Sequence, residues 1–143
     1  FGKLINELIE LHTYADKETK FHVNINQDVK FIGDAFRIEV ILSNLISNAI
    51  KYQKSNETNK TVNIEIEVND FEAKVNINDN GLGILKEHLE KIFTQFFKSK
   101  IHHGTGLGLF IVKEALNKIN GTINVSSNIE NGTTFKITIP NAK

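Results

Sequence analysis

The chain has 143 residues, the size of one domain, long enough to bury roughly 68–70% of its unfolded surface without covalent staples. Seventeen Lys and Arg balance seventeen Asp and Glu for zero formal net charge, which speaks against a dedicated nucleic-acid binder. There is no cysteine, hence no disulfide, thiol nucleophile or thiolate metal site, and no apolar run approaches the ~20 residues that cross a bilayer.

Phe1–Lys17 places Leu4, Leu8, Leu11 and Ala15 on one helical stripe with Ile5 and Ile9 beside it, which predicts an amphipathic helix. Position 1 is not methionine and nothing there reads as a signal peptide, so the helix is expected to continue upstream in a longer protein. Phe21–Ile25 alternates at period two, and Lys30–Gly33 is a second short extended run. Asp34 is the expected N-cap of a long helix reaching about Gln53, with Ile38, Ile41, Leu42, Leu45, Ala49 and Tyr52 at helical spacing. Two alternating strands follow (Val62, Ile64, Ile66, Val68, then Val75, Ile77), joined by a turn at Asn69-Asp70. Leu85–Phe97 reads as a short helix with Leu89, Ile92, Phe93 and Phe96 inward, and Lys98–Gly104 as a polar, irregular stretch. Gly106–Asn120 is helical again and stops at Gly121. Thr122–Ser127 and Thr133–Ile139 close the chain as a hairpin around Asn131-Gly132. No repeat, low-complexity tract or linker interrupts this order, so one domain is expected.

Three clusters carry chemistry. Asn44, Asn48 and Lys51 lie at i, i+4 and i+7 on the long helix. Amide oxygens there suit Mg²⁺ and the ammonium suits phosphate, although the same residues also read as an ordinary solvated face. Asp79-Asn80-Gly81-Leu82-Gly83-Ile84 sets a carboxylate at a strand end before two glycines. It is either an acceptor for an exocyclic amine beside a closely passing backbone or a plain Asn-Gly turn. Gly104-Thr105-Gly106-Leu107-Gly108-Leu109 opens a helix, where free N–H groups attract anions, but it matches neither the P-loop nor the dinucleotide fingerprint.

Taken together and in order, Asn44–Tyr52, Asp79–Ile84, Ile92–Lys98 and Gly104–Leu109 resemble the N, G1, F and G2 boxes of sensor histidine kinase ATP-binding domains, a branch of the GHKL superfamily. Asn131–Pro140 is similar to that family's closing hairpin. The resemblance implies an α+β fold, a two-layer α/β sandwich of Bergerat type with helices on one face of a mixed sheet and an ATP lid. It implies ATP and Mg²⁺ as ligands, with Asn48 the principal metal ligand and Asn44 assisting. Lys51 and Tyr52 then lie near the nucleotide, Asp79 accepts the adenine amino group, and Gly81, Gly83 and Ile84 pack along the ring. Thr133 reaches the adenine through water, Gly104, Thr105, Gly106, Leu107 and Gly108 cradle the phosphates, and Lys98 faces the γ-phosphate.

Where the hydrolytic branches of the superfamily carry a glutamate four residues before the metal asparagine, this chain has Asn44. An amide cannot accept a proton from water, so the resemblance implies a γ-phosphoryl donor and not a hydrolase. The family's acceptor histidine is followed by an acidic residue and, shortly after, proline. None of His12, His22, His88, His102 and His103 fits, and Pro140 is the only proline. The expected arrangement is therefore residues 1–20 as a helical connection from a histidine-bearing dimerisation hairpin, and 21–143 as the catalytic domain. Its partners would be that hairpin and, through the full protein, a response regulator receiver domain. The fragment is expected to be monomeric, the full protein a cytoplasmic or inner-membrane-anchored homodimer. A GHKL-type serine kinase and a nucleotide-independent docking module are the alternatives. Arg37 is read as a structural ion-pair residue, His102-His103 as solvated, and Phe93, Phe96 and Phe97 as core and hinge packing.

Overall fold

The computed structural model describes residues 1–14, 16–97 and 106–142. In chain order the elements are α1 (Gly2–Thr13), β1 (Lys20–Gln27), α2 (Ala35–Lys51), β2 (Thr61–Val68), β3 (Glu72–Asp79), α3 (Gly108–Lys118), β4 (Thr122–Asn128) and β5 (Gly132–Pro140). They form a five-stranded mixed sheet of order β1-β2-β3-β5-β4. Only β1 and β2 run parallel, because α2 crosses between them as a βαβ unit must. Alternation decides the faces. Val62, Ile64, Ile66, Val68, Ala73, Val75, Ile77, Phe135, Ile137 and Ile139 are buried in one core with the α2 row Ile38, Ile41, Leu42, Leu45, Ile46 and Ala49. The helices therefore cover one side of the sheet, giving the two-layer α+β sandwich expected.

Asp34 caps α2 as anticipated: its Oδ1 accepts from the Arg37 backbone N–H at 3.0 Å, and its other oxygen pairs with the Arg37 guanidinium. Asn69 Oδ1 takes the N–H groups of Phe71 and Glu72, fixing the β2–β3 turn as an Asx motif. Several expectations are corrected. α1 stops at Thr13, whose hydroxyl folds back on the Ile9 carbonyl. It buries Ile5 and Leu8 in the common core while Leu11 stands 67% exposed, so the inward stripe lies one residue round from the one predicted. Ala15 lies outside the described residues. The run 30–33 is not a strand; it is tied to the C-terminal tail through Asn141 Oδ1, which accepts from the Ile32 N–H, and the Ala142 N–H, which donates to the Ile32 carbonyl. The segment 85–97 is a single 3₁₀ turn (Lys86–His88) followed by i→i+3 turns, not an α-helix. Its turns break at Phe96, which adopts φ 63° and is 64% exposed rather than inward. Ile92 is buried as predicted, Phe93 meets Phe135 edge-on and Phe97 meets His88. At the end of α3 the left-handed residue is Asn120 (φ 57°); Gly121 follows it and donates to the Leu116 carbonyl at 2.8 Å, the bond of a Schellman stop. Among the described residues no helix is long and apolar enough to cross a membrane.

Candidate functional site

The period-two rule that builds the core also builds the site. The inward row of β3 reads Ala73, Val75, Ile77 and then Asp79, a carboxylate where a fourth aliphatic would continue the pattern. Asp79 pairs in register with Thr133 of β5, and Thr133 with Ser127 of β4. A polar row thus crosses the end of an otherwise apolar sheet face. Asp79 and Thr133 are each only 6% exposed. Burial pushes the Asp79 carboxyl up to about 6, against the opposing pull of the Gly81 and Thr133 backbone N–H groups; the Gly81 N–H lies 2.8 Å from Oδ1.

Three backbone segments close around this row. The Leu82 N–H donates to the Tyr52 carbonyl at the end of α2 (2.8 Å), and a Cβ at Gly81 would stand 2.3 Å from that same oxygen. Gly83 (φ 72°) presses on the β4–β5 turn so closely that a Cβ would lie 2.0 Å from the Asn128 carbonyl. Gly132 (φ 92°) leaves 2.1 Å between a Cβ and the Asp79 carbonyl. Both positions demand glycine twice, for left-handed φ and for space. Above the row opens a pocket of about 510 Å³ of empty space, including solvent at its mouth, lined by Asn48, Tyr52, Asp79, Leu82, Gly83, Ile84, Ile92, Leu109, Thr133 and Phe135. Burial raises the Tyr52 phenol above its usual range. The mixture of apolar walls with a few convergent polar groups is that of a small-molecule site.

Of the residues singled out in sequence, Asn48, Tyr52, Asp79, Gly83, Ile84 and Thr133 line this one pocket, and Gly81 stands directly behind Asp79. Asn44 lies one turn before Asn48, outside the pocket wall; its Nδ2 donates back to the Val40 carbonyl at 2.8 Å and its Oδ1 lies 3.2 Å from where a Gly108 Cβ would be. Asn44 therefore faces the start of α3. Lys51 is exposed at the last position of α2 and does not line the pocket. Gly106 meets the preceding segment, its carbonyl accepting from the Phe96 N–H at 3.0 Å. Leu107 precedes α3 without a side-chain cap, so among the described residues the first-turn N–H groups there have no capping side chain. Lys98, Gly104, Thr105, Lys100 and His102-His103 lie outside the described residues. The pocket walls Leu82, Ile92, Leu109 and Phe135 escaped the sequence reading, since aliphatic and aromatic positions look alike whether they face a core or a cavity. Ser127 escaped too, although a serine following inward Ile123 and Val125 is a legible break in alternation. His12 accepts or donates at 2.8 Å with Ser43, and burial, then the Lys51 ammonium, holds its imidazole below the ordinary value.

A family model described as histidine kinase-, DNA gyrase B- and HSP90-like ATPase matches residues 33–143. A probable C4-dicarboxylate sensor kinase of Halalkalibacterium halodurans is 37% identical over 131 residues, 87% of this chain and 24% of that protein. The sensor protein SrrB of Staphylococcus aureus is 38% identical over 112 residues, 75% of this chain and 19% of that protein. The chain thus spans a quarter or less of the length of these curated relatives. Among solved structures, the catalytic domain of histidine kinase ThkA superposes with a TM-score of 0.81 at 31% identity, covering 98% of this chain and 93% of that one. A mycobacterial sensor histidine kinase, MprB, gives 0.84 at 26% identity, covering 97% and 93%. By sequence and by fold, the chain belongs to the histidine kinase-, DNA gyrase B- and HSP90-like ATPase family, among its histidine kinase catalytic domains.

Proposed function

We propose that the pocket holds the adenine of ATP and that the Asn-rich end of α2 and the start of α3 hold its phosphates, so that the chain presents a γ-phosphoryl group to a histidine on a separate helical domain. The observation that carries this is a buried carboxylate on the floor of an apolar pocket, beside a backbone kept close by Gly81 and Gly83. A flat ring with an amino group satisfies both features: apolar faces against Leu82, Ile84 and Ile92, and an N–H donor for Asp79. Thr133 adds a second polar contact, and Tyr52 closes the side.

The donor set on α2 fits a magnesium ion only in company with phosphates. Among the described residues no group of three or more His, Cys, Asp or Glu side chains is placed for a metal, whereas Mg²⁺ accepts one or two protein oxygens when nucleotide phosphates and water complete its shell. Asn48, whose side-chain amide has no hydrogen-bond partner among the described residues and which lines the pocket, would hold it, with Asn44 assisting. When bound, the ion neutralises charge on the phosphate oxygens. The chain's own residues do the remainder. Asp79 and Thr133 fix the base, the first-turn N–H groups behind Gly106, Leu107 and Gly108 meet phosphate oxygens, and Lys51, Lys98, Gly104 and Thr105 add contacts at the open end. Asn44 supplies no base for water, so catalysis is positioning and charge stabilisation for transfer. Residues 1–20 then connect to the acceptor hairpin, and a response regulator receives the phosphoryl group through a dimeric, cytoplasmically active full protein. The histidine kinases among the chain's structural neighbours support a histidine acceptor over a serine one.

Calorimetric titration of the chain with Mg-ATP tests this. A Kd in the micromolar to high-micromolar range is expected (about −8 to −5 kcal/mol), together with no acid-labile phosphate on the chain itself. Absence of nucleotide binding, or stable phosphohistidine on this chain alone, would contradict the proposal.

A further inference from the structure

The polar row across the sheet contains a residue with no role in the account so far. Ser127 Oγ lies 2.8 Å from the Ile84 N–H, 3.0 Å from the Gly132 carbonyl and 2.8 Å from Thr133 Oγ1. It therefore joins the loop after β3, the β4–β5 turn and the pocket floor. A hydroxyl has one proton and two lone pairs. The Ile84 N–H occupies one lone pair. The Gly132 carbonyl can only accept, so it takes the single Ser127 proton. The remaining contact is then a bond donated by the Thr133 hydroxyl into the second Ser127 lone pair, which saturates Ser127.

We propose that Ser127 is a positioning residue that directs the Thr133 proton away from the pocket, so that Thr133 presents only an acceptor to the ligand and the pocket selects rings bearing an amino donor over rings bearing a keto oxygen. The floor then offers two acceptors side by side, the Asp79 carboxylate and the Thr133 oxygen, on residues that are each 6% exposed. An amino group can donate to such a floor, whereas a carbonyl oxygen at the same place meets lone pairs and leaves buried acceptors unpaired. Asp79 alone would reject a keto group from its own oxygen; Ser127 extends the rejection across the register pair Asp79–Thr133. The inference rests on reading the pocket as a purine nucleotide site.

The test is calorimetric titration with Mg-ADP and Mg-IDP, whose bases differ at the six-position, amino against keto, and at the adjoining ring nitrogen, an acceptor in the first and an N–H donor in the second. The native chain should favour ADP. Ser127→Ala frees the Thr133 hydroxyl to rotate and should lower the ADP/IDP affinity ratio about 5–10-fold, the worth of one or two buried hydrogen bonds. Ser127→Thr keeps the hydroxyl and should hold the ratio. In a Thr133→Val background Ser127→Ala should move the ratio by less than about 2-fold, because its route of action is gone. A merely structural role weakens both nucleotides equally, so an unchanged ratio in Ser127→Ala overturns the proposal while leaving the nucleotide reading intact. Failure of the native chain to bind either nucleotide overturns both. If Ser127→Ala does not fold, the isosteric Ser127→Cys, a weak donor and acceptor, should still lower the ratio, and an unchanged ratio there is equally fatal.

Discussion

The two ends of the pocket are made of different material. At the Asp79 end the contacts are backbone against backbone: Tyr52 carbonyl on Gly81 and Leu82, Asn128 carbonyl on Gly83, Asp79 carbonyl on Gly132, all within distances that exclude a methyl group. Along α2 the groups on offer are side chains on one helix face, Asn48 in the pocket wall and Asn44 and Lys51 beyond it, with Asn44 turned to Val40 and Gly108 and Lys51 in solvent. The first end is finished before any ligand arrives. On the proposed function, the second assembles around what the ligand brings. The difference teaches where to look for selectivity and where to look for chemistry: a preorganised floor is suited to discriminate, while the proposed function has the adaptable oxygens and cations follow the phosphates.

Damage to the finished end should be the more severe. Gly132→Ala and Gly83→Ala each force a Cβ to within about 2 Å of a carbonyl oxygen and require a left-handed alanine, which together should cost about 3 kcal/mol or more. Denaturant unfolding of either variant should show this; stability within about 1 kcal/mol of the native chain would mean the loops are looser than described.

Next in size is the Asp79 titration. Its folded pKa, raised by burial to about 6, lies above the ordinary carboxylate value of 3.8. Between these values the folded state holds more protons than the unfolded state, so stability is greatest below about pH 4 and falls as pH rises to about 6, by roughly 3 kcal/mol in all. Ligand affinity should run the other way, rising through pH 6 as the carboxylate becomes an acceptor. Asp79→Asn should flatten this component of both profiles and weaken adenine nucleotides. Superimposable pH profiles for the two proteins would remove Asp79 from the site.

The adaptable end predicts the smallest effect on the fold. Asn48→Ala loses no hydrogen bond among the described residues and should change stability by less than about 1 kcal/mol, yet abolish the magnesium dependence of ATP affinity. Retained enhancement by Mg²⁺ would reject Asn48 as the metal's partner and blur the contrast between the two ends.

Legibility in the sequence followed the same division. The rows Val62–Val68 and Ile38–Ala49 are strictly periodic, so strands, long helix and the face they share were readable, as were the cap at Asp34 and the turn at Asn69, where one side chain fixes local geometry. Segment 85–97 misled because Leu89, Ile92, Phe93 and Phe96 have helical spacing while Phe96 sits in the left-handed region; nothing in a phenylalanine announces that conformation. The α1 stripe was misjudged by one residue, since Leu8 belongs to both candidate stripes and only the core decides between Ile5 and Leu11. At the site, the polar and glycine residues of the pocket were visible as motifs, whereas its apolar walls and the Ser127 junction depend on register between β3, β5 and β4, which long-range pairing sets.

The most direct test of the central claim is a crystal structure of the chain with Mg²⁺ and a non-hydrolysable ATP analogue. The account predicts the exocyclic amino nitrogen of the base about 2.7–3.2 Å from an Asp79 carboxylate oxygen and the ring between Leu82, Ile84 and Ile92. A base bound elsewhere, or one whose amino group points away from Asp79, would contradict it.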